Sequence, residues 1–531
     1  MDADVIVIGA GAAGAAVSWR LSQAQLNVLC VEQGDFQSAT SYPSSRSTWE
    51  LDKLSSHHPL SSVRKGAFDY PINDSDSPIA IANFNAVGGS TILYSGHFPR
   101  FHPSDFRARS LDGVADDWPI SYRDLEPYFS LNDQMMGVSG LSGDPAYPEI
   151  TGLLPPVPLG FVGEHLAKGF NSLGWHWWPA YAAIVTRPIA NRSICVNLGP
   201  CNTGCAQSAK SSVDVSYWPA AILNGVTMMV RTRARRLIEG DDGEIKGVEV
   251  MTTDGKPRTL TSSAVILACN GVGTPRLLLN SPSRKSKGQI ANSSDLVGRN
   301  LMLHPLGYIE GLFEEDLQSH LGPQGCCILS QEFYETSTTR NFKRGFTFQV
   351  LRGPSPLETA LSGVARREID WGIAHHDMFR SRFGHVASMT AIIEDLPERH
   401  NQVTLDFRHV DSAGIPAAKI TYSLGDNSRR MLSFALQRGR ELMSAAGATK
   451  TYAFGPVRET GWHLMGTTRM GDDPSSSVVD RNGKCHDVPN LYVADSSVFV
   501  TAGAANPTST LQAVALWIAD GVIRDLRGQL T

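Results

Sequence analysis

The chain opens on an uninterrupted apolar, β-branched run, Val5-Ile6-Val7-Ile8. A run with no apolar–polar alternation predicts a strand buried on both faces of a parallel sheet, here over residues 4–8. A helical pattern follows over 15–23 and a second buried strand over 27–31, with similar strand patterns at 226–230 and 264–268. Alternating runs at 235–238, 245–251 and 258–260, punctuated by Asp241-Asp242-Gly243 and Asp254-Gly255, predict a small antiparallel meander. Gly271 to Pro275 then opens a helix over 276–280, and Ser121 with Asp124 marks an earlier capped helix start. Residues 36–83 are polar and turn-rich and read as a wandering connection or lid. Beyond residue 305, β-like segments at 346–351, 387–394 and 402–407 precede a long amphipathic helix at about 427–446. Buried strands alternating with helices define an α/β protein with a Rossmann-like parallel sheet, joined to a sheet-and-helix lobe.

Length and charge narrow the picture. A chain of 531 residues is too long for one compact core. A net charge of −5 supplies no electropositive footprint, so nucleic acid is not an expected partner. The strand pattern begins almost at Met1, so no signal peptide is expected, and apolar stretches stay short of the ~18 residues of a membrane-spanning helix. The 8 cysteines are too few for a disulfide scaffold and fit a reducing compartment.

Between the first strand and helix lies Gly9-Ala10-Gly11-Ala12-Ala13-Gly14, a G-x-G-x-x-G element. Gly9 permits the tight turn, Gly11 lets backbone approach a pyrophosphate, and Gly14 lets helix pack on strand. The helix N-terminus offers free N–H groups to the phosphates. Glu32, 23 residues after Gly9, closes the second strand where an acid accepts hydrogen bonds from a ribose. The element alone does not separate FAD from NAD, but its place at the head of so long a chain favours FAD. A second glycine turn, Val87-Gly88-Gly89-Ser90-Thr91, brings backbone N–H groups toward the same ligand.

Together with Gly271-Val272-Gly273-Thr274-Pro275, the stretch from Asp295 to Leu301 with His304-Pro305, the stretch from Gly461 to Thr468, and Val493-Ala494-Asp495 through Asn506-Pro507-Thr508, these motifs span the chain. In that order the sequence resembles the glucose–methanol–choline (GMC) oxidoreductases. The resemblance implies an FAD-binding part at 1–150, a connecting or substrate segment at 151–190, further FAD-binding parts at 191–305 and 456–531, and a substrate-binding part at 306–455. It implies a cofactor-binding set of Gly9, Gly11, Ala12, Ala13, Gly14, Glu32, Gly88, Gly89, Ser90, Val230, Ala268, Asp495, Ala505, Pro507 and Thr508. Asp495 would meet the ribityl or pyrophosphate region and the backbone of residues 505–507 the ring. Members with covalent flavin use a histidine near the position of Leu93, which cannot form such a bond, so FAD is expected to be non-covalent, with His97 the weaker candidate for attachment.

Oxidising an alcohol on a flavin needs a base for the hydroxyl proton while hydride leaves the carbon. His463 fits the base, and Asn506 is suited to hold the substrate oxygen while staying neutral. A structural role for Asn506 is an N-cap before Pro507. The expected substrate is a sugar, glycoside or polyol, and the expected acceptor a quinone or cytochrome. An O2-using oxidase and a flavin-dependent lyase of the same fold are the alternatives.

Cys195-x5-Cys201-x3-Cys205 sits on a glycine-rich loop. Bacterial FAD-dependent glucose dehydrogenase catalytic subunits look similar there and carry a three-iron (3Fe-4S) cluster. The loop therefore reads as cluster ligands or as idle thiols, with zinc or a disulfide as further alternatives. The same relatives imply a cytochrome or small accessory subunit. The expected location is then cytoplasmic, or periplasmic or peripheral to a membrane if the chain is exported with a partner. His57-His58 and His375-His376 read as surface pairs, Cys326-Cys327 as core, and Trp175, Trp177 and Trp178 as packing or a sugar-binding face.

Overall fold

Apolar runs without alternation need cover on both faces, and a parallel sheet provides it. The computed structural model describes residues 1–530 except 190–191, 287, 324, 326, 366 and 368–371. Among the described residues this sheet runs, in spatial order, Leu491–Val493, Ser262–Leu267, Ala3–Ile8, Val28–Val31 and Thr227–Met229, every pairing parallel. Helices Ala12–Gln23 and Thr508–Leu530 share its buried cluster, with Val17 and Leu21 from the first and Val514 and Ile518 from the second. The expected meander is present as Arg233–Glu239, Ile245–Met251 and Pro257–Leu260.

An antiparallel sheet forms the second layer: Lys450–Phe454, Leu306–Leu312, Val386–Ile393, Phe346–Leu351, Ile328–Ser330 and Trp178–Pro179, in that order. Side chains alternate across its faces. On one face Ile309, Phe346, Phe348, Val350, Met389 and Ala391 are buried with Val162, Leu166 and Phe170 of helix Gly160–Leu173 and with Met431, Leu432 and Leu442 of helix Asp426–Ala445. The register Leu306↔Ile392, Tyr308↔Thr390 and Gln349↔Thr390 gathers the intervening residues on the opposite face.

Three expectations need correcting. The segment 36–83 is more than a connection: its strand Ile72–Asp76 pairs in parallel with Pro416–Thr421, which also pairs with Gln402–Val410. Its short helix Trp49–Lys53 is tied to helix Pro356–Ala365 by an ion pair between Lys53 and Glu358. The helix placed at 276–280 runs instead over Asn270–Leu279, with Pro275 inside it. Proline has no N–H to offer the Gly271 carbonyl. Thr467 Oγ1 donates to that carbonyl at 2.8 Å, and the Asp495 carboxylate accepts from Asn270 N at 3.1 Å. Finally, helix Thr508–Leu530 begins after Asn506, so Asn506 is not its cap; the Pro507 carbonyl accepts from Leu511 N at 2.7 Å. Among the described residues no helix is long and apolar enough to cross a membrane.

Candidate active site

A cavity of about 690 Å³ lies between the parallel sheet and the polar-bearing face of the antiparallel sheet. One end is built by the glycine turns. Gly9 has φ 105°, and a Cβ on Gly14 would run into the Gly9 carbonyl oxygen, so the first helix packs directly on its strand. Gly89 packs directly on Gly11 at the cavity wall, and a Cβ on Gly89 would lie 2.8 Å from the Gly11 Cα. Glu32 lines this end. Its Oε2 accepts from Ala10 N at 2.8 Å and its Oε1 from Gly34 N at 2.7 Å. Burial pushes its carboxyl up while the Gly34 and Ala10 N–H groups pull it down.

This cradle fits a dinucleotide: side-chain-free backbone where phosphates pass, and a fixed acid at the end of the second strand. Gly9, Gly11, Ala12, Ala13, Glu32, Gly89, Ser90, Ala268, Asp495, Pro507 and Thr508 all line the cavity. Gly14, Gly88, Val230 and Ala505 stand behind the lining. The Gly88 N–H donates to the Ala10 carbonyl at 3.0 Å, and the Val230 carbonyl accepts the Thr232 hydroxyl at 2.9 Å, leaving Thr232 and Arg233 to line the wall. Asp495 is committed to the protein itself, accepting from Ser497 N, Asn270 N and Thr274 Oγ1.

The other end brings His463 and Asn506 into the same cavity. Met302 and Met465 exchange backbone hydrogen bonds at 3.0 and 3.2 Å across an antiparallel bridge. Two residues outward on each chain, that register sets His304 against His463, with their Nδ1 atoms 2.8 Å apart. His304 Nε2 is 2.7 Å from the Gly503 carbonyl oxygen, which can only accept, so Nε2 carries the proton. Burial lowers the His304 pKa to about 4, so the ring is neutral and its Nδ1 is an acceptor. His463 therefore donates from Nδ1 and keeps a lone pair on Nε2. Burial, then the His304 and His97 imidazoles, hold His463 well below the ordinary histidine range.

Asn506 is oriented by Gln349, whose Nε2 donates to Asn506 Oδ1 and leaves the Asn506 Nδ2 hydrogens for a ligand. The site thus pairs a lone pair with an N–H donor, the two contacts an alcohol oxygen requires. Leu306, Tyr308, Leu351, Thr390 and Ile392 line the sheet wall. Tyr308 OH is occupied by Glu310 at 3.0 Å and Ser388 at 2.9 Å. His304 and Gln349 escaped sequence reasoning because each acts through a tertiary pairing; the His-Pro pair at 304–305 was the available signal.

Other sequence readings change. His57 and His58 line the cavity and are not a surface pair, with His57 stacked on Phe84 and His58 Nδ1 accepting from Leu60 N. The tryptophans pack: Trp175 against Phe333, Trp177 on Asn171, Trp178 on the Leu141 carbonyl. Leu93 lines the cavity, and His97 is buried there with neither ring nitrogen hydrogen-bonded among the described residues, its pKa lowered by burial to about 4. Cys327 packs in the core; Cys326 lies outside the described residues.

The structure lends the cysteine loop no support as a cluster site. Among the described residues no three His, Cys, Asp or Glu side chains gather as a metal-binding set. Cys195 Sγ donates to Asn197 Oδ1 at 3.6 Å and Cys205 Sγ accepts from Lys210 N at 3.5 Å, while burial pushes the Cys195 thiol up to about 11.

A glycine-lined dinucleotide cradle continuous with a histidine–asparagine pair defines an FAD-dependent oxidoreductase. Family models agree: an FAD-dependent oxidoreductase model matches residues 4–64, and GMC oxidoreductase models match 156–306 and 397–515. The chain belongs to the GMC oxidoreductases. It is 37% identical to 2-methyl-1,2-propanediol dehydrogenase of Mycolicibacterium austroafricanum, over 98% of this chain and 95% of that one. It is 26% identical to the fructose dehydrogenase large subunit of Gluconobacter japonicus, over 99% of both. The fold is similar to that of pyridoxine 4-oxidase from Mesorbium loti, with TM-score 0.64 at 18% identity over 98% of each chain.

Proposed function

We propose that this chain oxidises an alcohol carbon to a carbonyl, with His463 as the general base. FAD, when bound along the cradle from Glu32 to Pro507, supplies the acceptor for the hydride. His463 Nε2 takes the hydroxyl proton, its tautomer held by His304, and Asn506 Nδ2 holds the substrate oxygen, its amide held by Gln349. Because Leu93 cannot form a covalent flavin bond, we read the cofactor as non-covalent. Residues 306–455 shape the substrate wall, residues 151–190 form a connecting or substrate segment, and residues 1–150, 191–305 and 456–531 hold the cofactor.

The observation that carries this reading is the one-way hydrogen bonding at His304, which leaves His463 an unprotonated nitrogen in the cavity. The relatives named as dehydrogenases of a 1,2-diol and of fructose support a polyol or sugar hydroxyl as substrate; we read the acceptor as a quinone or cytochrome. No electron step is routed through the cysteine loop. The test is anaerobic mixing with a panel of alcohols and polyols. Bleaching of the flavin absorbance by a polyol is expected, with steady-state turnover faster on an artificial dye than on O2. A flavin that no alcohol bleaches overturns the reading.

A further inference from the structure

The peptide plane between Gly503 and Ala504 is held at both ends. Its carbonyl accepts from His304 Nε2 at 2.7 Å, and its N–H donates to the Tyr334 hydroxyl at 3.2 Å. Tyr334 OH in turn donates to Asp105 Oδ2 at 2.6 Å. Asp105 accepts from His102 N at 2.7 Å and is paired with Arg344, whose Nε lies 3.1 Å from both Glu394 oxygens and whose Nη1 is 3.0 Å from Asp112. The His102 ring stacks on Tyr334 with centroids 3.8 Å apart. Asp105, Tyr334, Arg344 and Glu394 are all buried.

Followed from the cavity, each bond donates in the same direction. His463 Nδ1–H gives to His304, His304 Nε2–H gives to the Gly503 carbonyl, the Ala504 N–H gives to Tyr334, and Tyr334 O–H gives to Asp105. Bonds aligned head to tail polarise one another, and the peptide group relays that polarisation from its N–H to its carbonyl. Gly503 has φ 60°, a conformation in which glycine lets the plane turn freely, so the two bonds decide where its carbonyl points.

We propose that Tyr334 and Asp105 are positioning residues for the alcohol oxidation, fixing the Gly503–Ala504 peptide so that its carbonyl sets the His304 and hence the His463 tautomer. This rests on the reading of His463 as base. The buried carboxylate at the far end also favours the imidazolium that forms at His463 when it takes the proton. The charged and titratable groups facing the chain include His304 and His97 at His463, and Arg344, His102, Tyr334, Glu335, Glu394 and Tyr147 at Asp105.

The test compares the flavin-loaded wild type with Tyr334→Phe and Asp105→Asn, each normalised to bound flavin. Tyr334→Phe keeps the ring stack and removes the link. Its kcat is expected to fall on the order of tenfold, within what misplacing a catalytic group costs, with KM almost unchanged. The acid limb of its kcat/KM profile should move to lower pH, because the imidazolium at His463 loses support. Asp105→Asn, which keeps an acceptor for Tyr334, should move the same way by less. Variants with wild-type kcat and acid limb overturn the proposal, as does loss of thermal stability and flavin with unaltered turnover per flavin, which marks the network as structural. A wild-type flavin that no alcohol reduces overturns the base reading beneath it as well.

Discussion

The Nδ1 atoms of His304 and His463 stand 2.8 Å apart, and only one of them can hold the proton between them. The Gly503 carbonyl settles which, since it claims the other nitrogen of His304. His304→Phe removes the acceptor and frees the His463 ring to change tautomer. The expected result is a fall in flavin reduction rate of about 10–100-fold, the usual cost of losing an orienting partner, with flavin content retained. Stopped-flow reduction beside the absorbance ratio of flavin to protein checks both halves.

The pH dependence has a definite sign. Activity requires neutral His463, whose pKa lies well below the ordinary imidazole value of 6.5 because the ring is buried. Lowering pH through 6.5 should therefore leave kcat/KM flat, and the loss should come only at more acidic pH, where His463 finally binds a proton. A limb centred at or above 6.5 would assign the base elsewhere.

The cofactor cradle is tested at Gly89. Its left-handed backbone (φ 54°) and the 2.8 Å approach of an added Cβ to Gly11 mean that Gly89→Ala must push the two glycine turns apart. FAD retention through gel filtration should weaken by about tenfold, equivalent to a modest loss of contact free energy. Retention equal to wild type would place the cofactor away from this contact of the two turns.

How much of this was legible in the sequence depended on range. The strand–glycine–helix–strand–acid run is a local pattern, so it emerged with nearly correct bounds, as did helix Asp426–Ala445 from its amphipathic period. Strand Leu306–Leu312 was hidden because Gly307 and Gly311 leave gaps in its alternation, which Leu432, Leu436 and Met443 fill from the helix above. Helix Gly160–Leu173 was obscured by its glycines, although Val162, Leu166 and Phe170 keep a four-residue spacing on one face. His463 and Asn506 were visible through their motifs. Their partners His304 and Gln349 were not, because a bridge at Met302–Met465 and a neighbouring strand bring them close.

The cysteine loop illustrates the limit of spacing. Cys195, Cys201 and Cys205 share a short loop, yet Cys195 pairs with an amide oxygen and Cys205 with a backbone N–H. Protein purified anaerobically is expected to show flavin absorbance alone, with iron and acid-labile sulfide below ~0.2 per chain, far from the stoichiometry of a cluster. Stoichiometric iron with sulfide would contradict the geometry.

The central claim is that His463 removes the alcohol proton as hydride leaves the carbon. Rapid anaerobic mixing of wild type and His463→Ala with the same alcohol, followed by flavin bleaching, addresses it most directly. The account predicts that the alanine variant retains its flavin yet bleaches at least ~100-fold more slowly, the scale of a general-base contribution. Bleaching of that variant at close to the wild-type rate would contradict it.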